Sequence, residues 1–421
     1  MSTSPGLSRR LGTADAVVIG LGSMIGAGVF AAFTPAAQAA GAGLLVGLAI
    51  AALVAYCNAT ASAQLAAAYP TSGGTYVYGR ERLGPWPGFL AGWGFVVGKT
   101  ASSAAMAMTF AAYAAPPGWE RPMAIAAVVL LVAVNYRGVT RTAAMARIIV
   151  GAVLAALALG VAAAWGSGTA TPAAMVGGGL FSHGWYGILQ SGGLLFFAFA
   201  GYARIATMGE EVVNPRRTIP RAILVALAIA VVVYAVVAVT ILAVLGPDGV
   251  AATPTPLAEA AATGAWGWTA PVLRAGAALA SLGALLALIA GLGRTSLAMA
   301  RESDLPRWFA AVHPRFKVPH RAELALGAVI CVIIAFADLR GAIGFSSFGV
   351  LIYYLVANVA AWTQTGVDRR YPRTLQVVGA VACCVLVATL PPSSVIAGLA
   401  MFAVGIAYRV LRLRRRGGAP A

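Results

Sequence analysis

Long apolar runs, almost free of charge, follow one another along the whole chain, and they constrain its fold more than any motif does. Of 421 residues, 60% are hydrophobic and only 10% are charged. A helix of about 20 apolar residues crosses the ~30 Å hydrocarbon layer of a bilayer, and in lipid only helices and closed barrels satisfy their own backbone. The pattern predicts an all-α integral membrane protein with about 12 transmembrane helices. They fall near 14–38, 43–69, 86–114, 122–136, 142–165 and 185–212, then near 219–245, 271–300, 322–337, 343–364, 374–389 and 393–410.

In a soluble chain the net charge of +17 would suggest nucleic acid. Here the arginines fall in alternate loops, the positive-inside pattern of membrane proteins. Arg9/Arg10, Arg80/Arg82, Arg137/Arg141/Arg147, Arg216/Arg217/Arg221, Arg301/Arg307/Arg315/Lys317/Arg321, Arg369/Arg370/Arg373 and the tail Arg409–Arg416 share one side. The other loops carry little beyond Arg121 and Arg340, with Arg274 near one end of a span. Both termini are therefore expected in the cytoplasm. The arginine tail reads as an anchor on anionic membrane lipid, and no nucleic-acid partner is expected. The excess of Arg over Lys and the abundance of Ala fit a bacterial chain, hence the inner (plasma) membrane.

The first span, with Arg9/Arg10 before it and Ala36–Ala40 after it, imitates a signal peptide. Its apolar run is too long, is broken by glycines and is followed by many more spans, so cleavage is not expected. Cys57, Cys331, Cys383 and Cys384 all lie in predicted spans without metal-ligand spacing. No disulfide framework and no metal site are expected from them.

Within the first span stands Gly22-Ser-Met-Ile-Gly-Ala-Gly28, three glycines in seven residues. Each costs a helix interior about 1 kcal/mol relative to Ala. Such a break is tolerated in lipid where the freed N–H and C=O groups line a cavity and hold a ligand. The sixth span has its own break in Phe196-Phe-Ala-Phe-Ala-Gly-Tyr-Ala-Arg204, where Gly201 interrupts a run that continues to Met208. Gly22, Gly26 and Gly201 are thus expected at helix breaks. Five spans separate the two, so the broken helices start on opposite faces. Matching breaks in two halves point to the binding site of an inverted-repeat transporter. The plainer reading is that these glycines only let helices pack closely.

At these residues the chain resembles the amino acid–polyamine–organocation (APC) superfamily of permeases. Gly22-Ser-Met-Ile-Gly-Ala-Gly-Val-Phe30 resembles the first-helix motif of that family. Phe196–Gly201, followed by Gly209-Glu-Glu-Val-Val-Asn-Pro-Arg-Arg-Thr-Ile-Pro-Arg221, resembles its sixth helix and the loop beyond. Pro70-Thr-Ser-Gly-Gly-Thr-Tyr76 and Ala300-Arg-Glu-Ser-Asp-Leu-Pro306 resemble its cytoplasmic loops. The likeness runs from about Ala14 to Trp362, and the last two spans are generic.

The resemblance implies a five-plus-five inverted repeat, 14–165 and 185–364, with broken helices 1 and 6 at its centre and two additional helices at 374–410. It implies that backbone N–H groups at the first break hold the substrate carboxylate, an anion at a helix N-terminus. Ser23, Met24, Ile25, Gly26, Ala27 and Gly28 are assigned to that role. The α-ammonium would meet carbonyls freed in spans one and six, with Phe199, Ala200, Gly201 and Tyr202 supplying carbonyls and an aromatic lid.

The third span begins near Phe89, which puts Lys99 about ten residues, or ~15 Å, into the membrane. An ammonium at that depth needs a partner, water or loss of its proton. Lys99 is therefore assigned to proton coupling or substrate contact; a Lys snorkelling to the boundary is the bland alternative. Some proton-coupled permeases that the chain resembles carry a Lys in the fifth span. Here 148–165 has no ionisable residue, and Lys99 is expected to take over that charge. No acid falls at mid-membrane, which favours a neutral amino acid over arginine, lysine or a polyamine, and argues against a carboxylate-built sodium site. Carbonyls and hydroxyls such as that of Ser281 would still suffice for sodium.

Ser102 and Ser103 either face the site or bond their own helix, the second being favoured. Arg204 is expected to close a gate with Glu210 or Glu211, or else to snorkel. His183, His313 and His320 fall in loops without ligand spacing, and Pro254–Glu259 begins a short external helix able to act as a lid. No Lys-Ser/Thr follows the glycines, so they are not a nucleotide loop. The sequence thus reads as a secondary active transporter without cofactor, not an enzyme, carrying a neutral amino acid by proton symport. An amino acid or amine exchanger, and a nutrient sensor on the same scaffold, remain the alternatives; the oligomeric state is not legible.

Overall fold

The computed structural model describes residues 10–71, 73–138, 143–166 and 168–417, without the side chains of 415–417. Arg9, Ser72 and Arg141, named above, lie outside the described residues, as do the side chains of Arg415 and Arg416.

Each predicted span corresponds to helix, with ends shifted by a few residues. The first is in three pieces, α1 (Thr13–Met24), α2 (Gly28–Ala31) and α3 (Phe33–Ala40). α4 (Leu44–Ala68) is the second, and α5 (Thr75–Leu83) lies in the loop that follows it. Gly84, at φ 98, turns the chain into the third span, α6 (Pro85–Ala114), whose prolines stand in the first turn where no N–H is missed. α7 (Glu120–Tyr136) and α8 (Ala143–Gly166) complete the first five, and α9 (Pro172–Met175) sits in the connection. The sixth span is α10 (Gly184–Phe199), one 3₁₀ turn at Ala200–Tyr202, and α11 (Ala203–Ala206).

α12 (Pro215–Ala252) is the seventh and bends at Gly246, φ 67, just before Pro247. The expected short helix follows as α13 (Pro256–Ala262). The remaining spans are α14 (Thr269–Arg301), α15 (His320–Phe336), α16 (Leu339–Trp362), α17 (Arg373–Thr389) and α18 (Pro392–Gly417). α18 outruns its predicted end because arginine is a good helix former, so the helix continues past the apolar stretch.

Among the described residues, eight helical stretches are long and apolar enough to cross a membrane by length and composition alone. α7, α15 and α17 have 17 residues each, the short end of what spans a bilayer. α6 has 30 residues but is diluted by Gly, Ser, Thr and Lys99. That polarity is tolerable because α6 is the central helix, packed along α16, α14, α7 and α15. Gly349 of α16 comes so close that a Cβ there would lie 2.5 Å from the Gly94 carbonyl oxygen. Small residues at such crossings let backbones touch, the usual way helices associate in lipid. Large exposed apolar side chains, such as Ile148, Val232, Val332, Val381 and Leu399, lie on α8, α12, α15, α17 and α18, giving the bundle a lipid-compatible outer surface.

Candidate functional site

The backbone of the first span opens over three residues. The Ile25 N–H still bonds Leu21 O at 2.7 Å, and the ladder resumes with Phe30 and Ala31, which both bond Ala27 O at 3.1 and 2.9 Å. Between these, Ile25–Ala27 form a turn, and among the described residues the N–H groups of Gly26, Ala27, Gly28 and Val29 make no short, well-aligned hydrogen bond. Buried backbone donors held this loosely are available to a ligand, water or ion.

Gly22 corrects the expectation: it lies inside α1 and takes no part in the break. Ser23 lies in the last turn of α1, its hydroxyl spent on Ile19 O at 3.0 Å. No glycine of either break has a positive φ. Their reason is contact. A Cβ on Gly26 would sit 2.4 Å from Ala284 Cβ, and one on Gly28 would sit 2.6 Å from Ala198 Cα. At Gly201 it would be 2.5 Å from the Ser23 carbonyl carbon and oxygen and 2.6 Å from Met24 N. The close-packing reading and the broken-helix reading therefore describe the same residues: glycine lets one break lie against the other.

Side chains from three other spans meet the carbonyls so freed. The Tyr234 hydroxyl on α12 lies 2.7 Å from Met24 O and 3.0 Å from Ala198 O, one proton shared between the two breaks. Its ring stands 5.0 Å from Phe199. Lys99 on α6 is 6% exposed and donates to Ala200 O at 3.4 Å, so it does not snorkel to a boundary. Tyr354 on α16 donates to the same oxygen at 3.4 Å and packs on Tyr202 at 5.2 Å and Phe196 at 5.7 Å. Met24, Ile25, Ala27, Phe199, Ala200 and Tyr202 are all buried, so the two breaks are closed upon each other.

Of the two serines, Ser103 bonds its own helix at Lys99 O, 3.0 Å, whereas Ser102 meets Ser346 of α16 at 2.5 Å. Beside the first break, Gly22, Ile25, Gly26, Ile149, Val150, Val153 and Ala280 enclose a space of about 10 Å³. That is about the smallest space that holds one water, and no side-chain oxygen lines it.

On the arginine-bearing face, Arg204 stands 3.9 Å from Glu211 and 3.3 Å from the Thr207 hydroxyl. The segment before α1 pairs there with the chain after α11, through a parallel bridge between Leu11 and Val212. Asp15 accepts from Arg147 Nε at 3.0 Å, which fastens α1 to α8; the guanidinium neutralises the carboxylate at the helix start. At the opposite end Thr34 donates to Thr253 O at 2.6 Å and Gln38 to Ala251 O at 3.0 Å, tying α3 to the chain that leads into α13.

Tyr234 and Tyr354 are the residues that sequence reasoning missed. A tyrosine in an apolar helix reads as core, yet a buried tyrosine hydroxyl usually needs an acceptor, and Val231-Val-Val-Tyr234-Ala-Val-Val237 offers no side chain of its own to supply one. Tyr234→Phe is expected to lower stability by about 1–3 kcal/mol by leaving two buried carbonyls without a donor. Thermal unfolding in detergent measures this, and an unchanged midpoint would show that water replaces the hydroxyl.

Residues 11–410 match a protein-family model described as amino acid permease. The chain is 60% identical to an uncharacterized transporter of Mycobacterium tuberculosis over 412 residues, 97% of this chain and 93% of that one. It is 28% identical over 379 residues to the chloroplastic cationic amino acid transporter 6 of Arabidopsis thaliana, covering 84% of this chain and 65% of the relative. It is also 28% identical over 381 residues to the methylthioribose transporter of Bacillus subtilis, covering 85% and 82%.

Proposed function

Because the chain belongs to the amino acid permease family, a family of multi-pass membrane transporters rather than enzymes, we propose that it carries a neutral amino acid by alternating access, in symport with protons. The observation that carries this reading is the pair of facing breaks. The loosely bonded N–H groups at 26–29 suit a carboxylate, and the carbonyls of Met24, Ala198 and Ala200 suit an ammonium. An α-amino acid carries both groups on one carbon.

On this reading the inverted repeats are 14–165 and 185–364, with 374–410 added, and substrate parts the breaks by replacing their mutual contacts. The face bearing the arginines is cytoplasmic, both termini lie there, and the host membrane is a bacterial inner membrane. Arg204 with Glu211, and Asp15 with Arg147, act as the gate on that face.

The preference for a neutral side chain rests on the groups around the breaks. Among the described residues, the polar side chains that meet them are Lys99, Tyr234 and Tyr354, and no carboxylate is with them. A cationic substrate would find one like charge and no counter-charge, an unfavourable exchange in a dry site. The name of the Arabidopsis relative favours a cationic amino acid as the second reading.

Uptake of labelled amino acids into liposomes, with and without an inward proton gradient, separates these. Gradient-driven accumulation of a neutral amino acid is expected. Uptake that requires preloaded amino acid would mean an exchanger. Preference for arginine or lysine would overturn the neutral reading, and binding without uptake would leave a sensor.

A further inference from the structure

Far from the helix breaks, on the arginine-bearing face, α5, the turn after α14 and α18 enclose a cavity of about 160 Å³. It is lined by Arg80, Asp304, Arg409, Arg412, Tyr408 and Glu302, with Pro85, Ser303 and Leu413. This is about five times the ~30 Å³ a water occupies in the liquid, room for a tetrahedral oxyanion.

Its polar groups are unevenly matched. Asp304 is already well supplied with donors: it accepts from the Tyr76 hydroxyl at 2.8 Å, from Arg80 Nη1 at 2.8 Å, and from Arg409 Nη1. Glu302, at the exposed rim, pairs with Arg80 at 3.3 Å. Three guanidinium groups against two carboxylates leave one positive charge over. Arg409 is 6% exposed, its guanidinium held 4.7 Å from the Phe89 ring and 4.9 Å from Trp86, and its Nε has no hydrogen-bond partner. Arg412 spends Nη1 on Tyr408 Oη and Leu305 O, while its Nε and Nη2 have no acceptor among the described residues. A buried guanidinium N–H without an acceptor is unfavourable, and the planar fork of arginine fits phosphate oxygens.

We propose that this cavity binds a phosphate group, held by the free edge of Arg412, with the positive charge of Arg409 and Arg80 behind it. Two sources share that chemistry, an anionic phospholipid headgroup and a free phosphate. The apolar side chains of Val404, Ile406 and Leu411, on the same helix as Tyr408, Arg409 and Arg412, are exposed and offer acyl chains a surface. Basic pockets at the ends of membrane helices recognise lipid headgroups in this way.

The test is native mass spectrometry and thermal melting of the purified full chain in neutral detergent, with phosphatidylglycerol, phosphatidylcholine or inorganic phosphate added. The variants are Arg412→Gln, which leaves the Asp304 contacts intact, and Arg217→Gln, which removes an exposed charge elsewhere. Phosphatidylglycerol should be retained over phosphatidylcholine, with retention falling at least tenfold in R412Q and unchanged in R217Q. Stabilisation by inorganic phosphate alone, lost in R412Q, would assign the site to free phosphate. Equal losses in both variants, or no response to either anion, would overturn the proposal. Should R412Q fail to fold, the wild-type chain decides. Displacement of bound phosphatidylglycerol by phosphate but not by chloride at equal ionic strength supports the site, and equal displacement by both overturns it.

Discussion

Replacing Lys99 with methionine is expected to reduce proton-gradient-driven uptake by at least about tenfold, a change of about 1.4 kcal/mol in the driving interaction, while substrate binding survives. Methionine keeps the length and apolar stem of the lysine and removes only the ammonium. Lys99 stands where α6 passes the sixth-span break, its Nζ 3.4 Å from Ala200 O, the same oxygen that Tyr354 reaches. A charge at this depth persists only with such a partner, and ionisable residues inside membranes are retained for function.

The same substitution should leave the thermal midpoint unchanged or raised, since replacing a buried ion by an apolar side chain of similar volume is often neutral or stabilising. Uptake measured over a range of imposed pH gradients decides the matter. A K99M protein that responds to the gradient as wild type does would remove Lys99 from the coupling step. A collapsed midpoint would make it structural.

The second large effect concerns the contact between the breaks. Gly201→Ala is expected to abolish uptake and to lower stability by about 1–3 kcal/mol, the usual cost of overpacking. Its new Cβ would meet the backbone of Ser23 and Met24 at 2.5–2.6 Å, and backbone on both sides leaves nothing to give way. Gly22→Ala makes the contrast. There the Cβ lies 3.1 Å from Val150 Cγ2, a side-chain methyl beside the small space next to the first break, and Gly22 is in regular helix. Up to about 1 kcal/mol of helix propensity is gained at such a position, so G22A should transport normally and melt no lower than wild type. Paired uptake and melting curves check both. Normal transport by G201A would show that the breaks do not need their present contact.

These two glycines also mark where reading the chain stops. Both were expected at helix breaks from their place in long apolar runs. Periodicity and helix cost say that a glycine is out of place; they do not say what stands opposite it. Gly201 meets the first break across the bundle, while Gly22 faces only Val150, and that difference depends on the register of α1 against α11 and α8. The expectation for Ser102 failed for the same reason. Its neighbour Ser103 bonds its own helix, as serines in apolar helices commonly do, but Ser102 finds Ser346, 244 residues away, because Gly94 and Gly98 bring α6 against α16.

What the sequence by itself determined is the all-helical, membrane-spanning architecture. The spanning helices follow from long apolar runs, and the two breaks from glycines that a continuous helix would not tolerate, both being local properties of the chain. Only the tertiary structure decided that the breaks meet, that Tyr234 ties the Met24 and Ala198 carbonyls with one hydroxyl, and that Lys99 points at Ala200 rather than at a boundary. Those facts join residues scores or hundreds of positions apart. They are set by how closely small side chains let helices approach, which composition and spacing along a single strand of sequence do not contain.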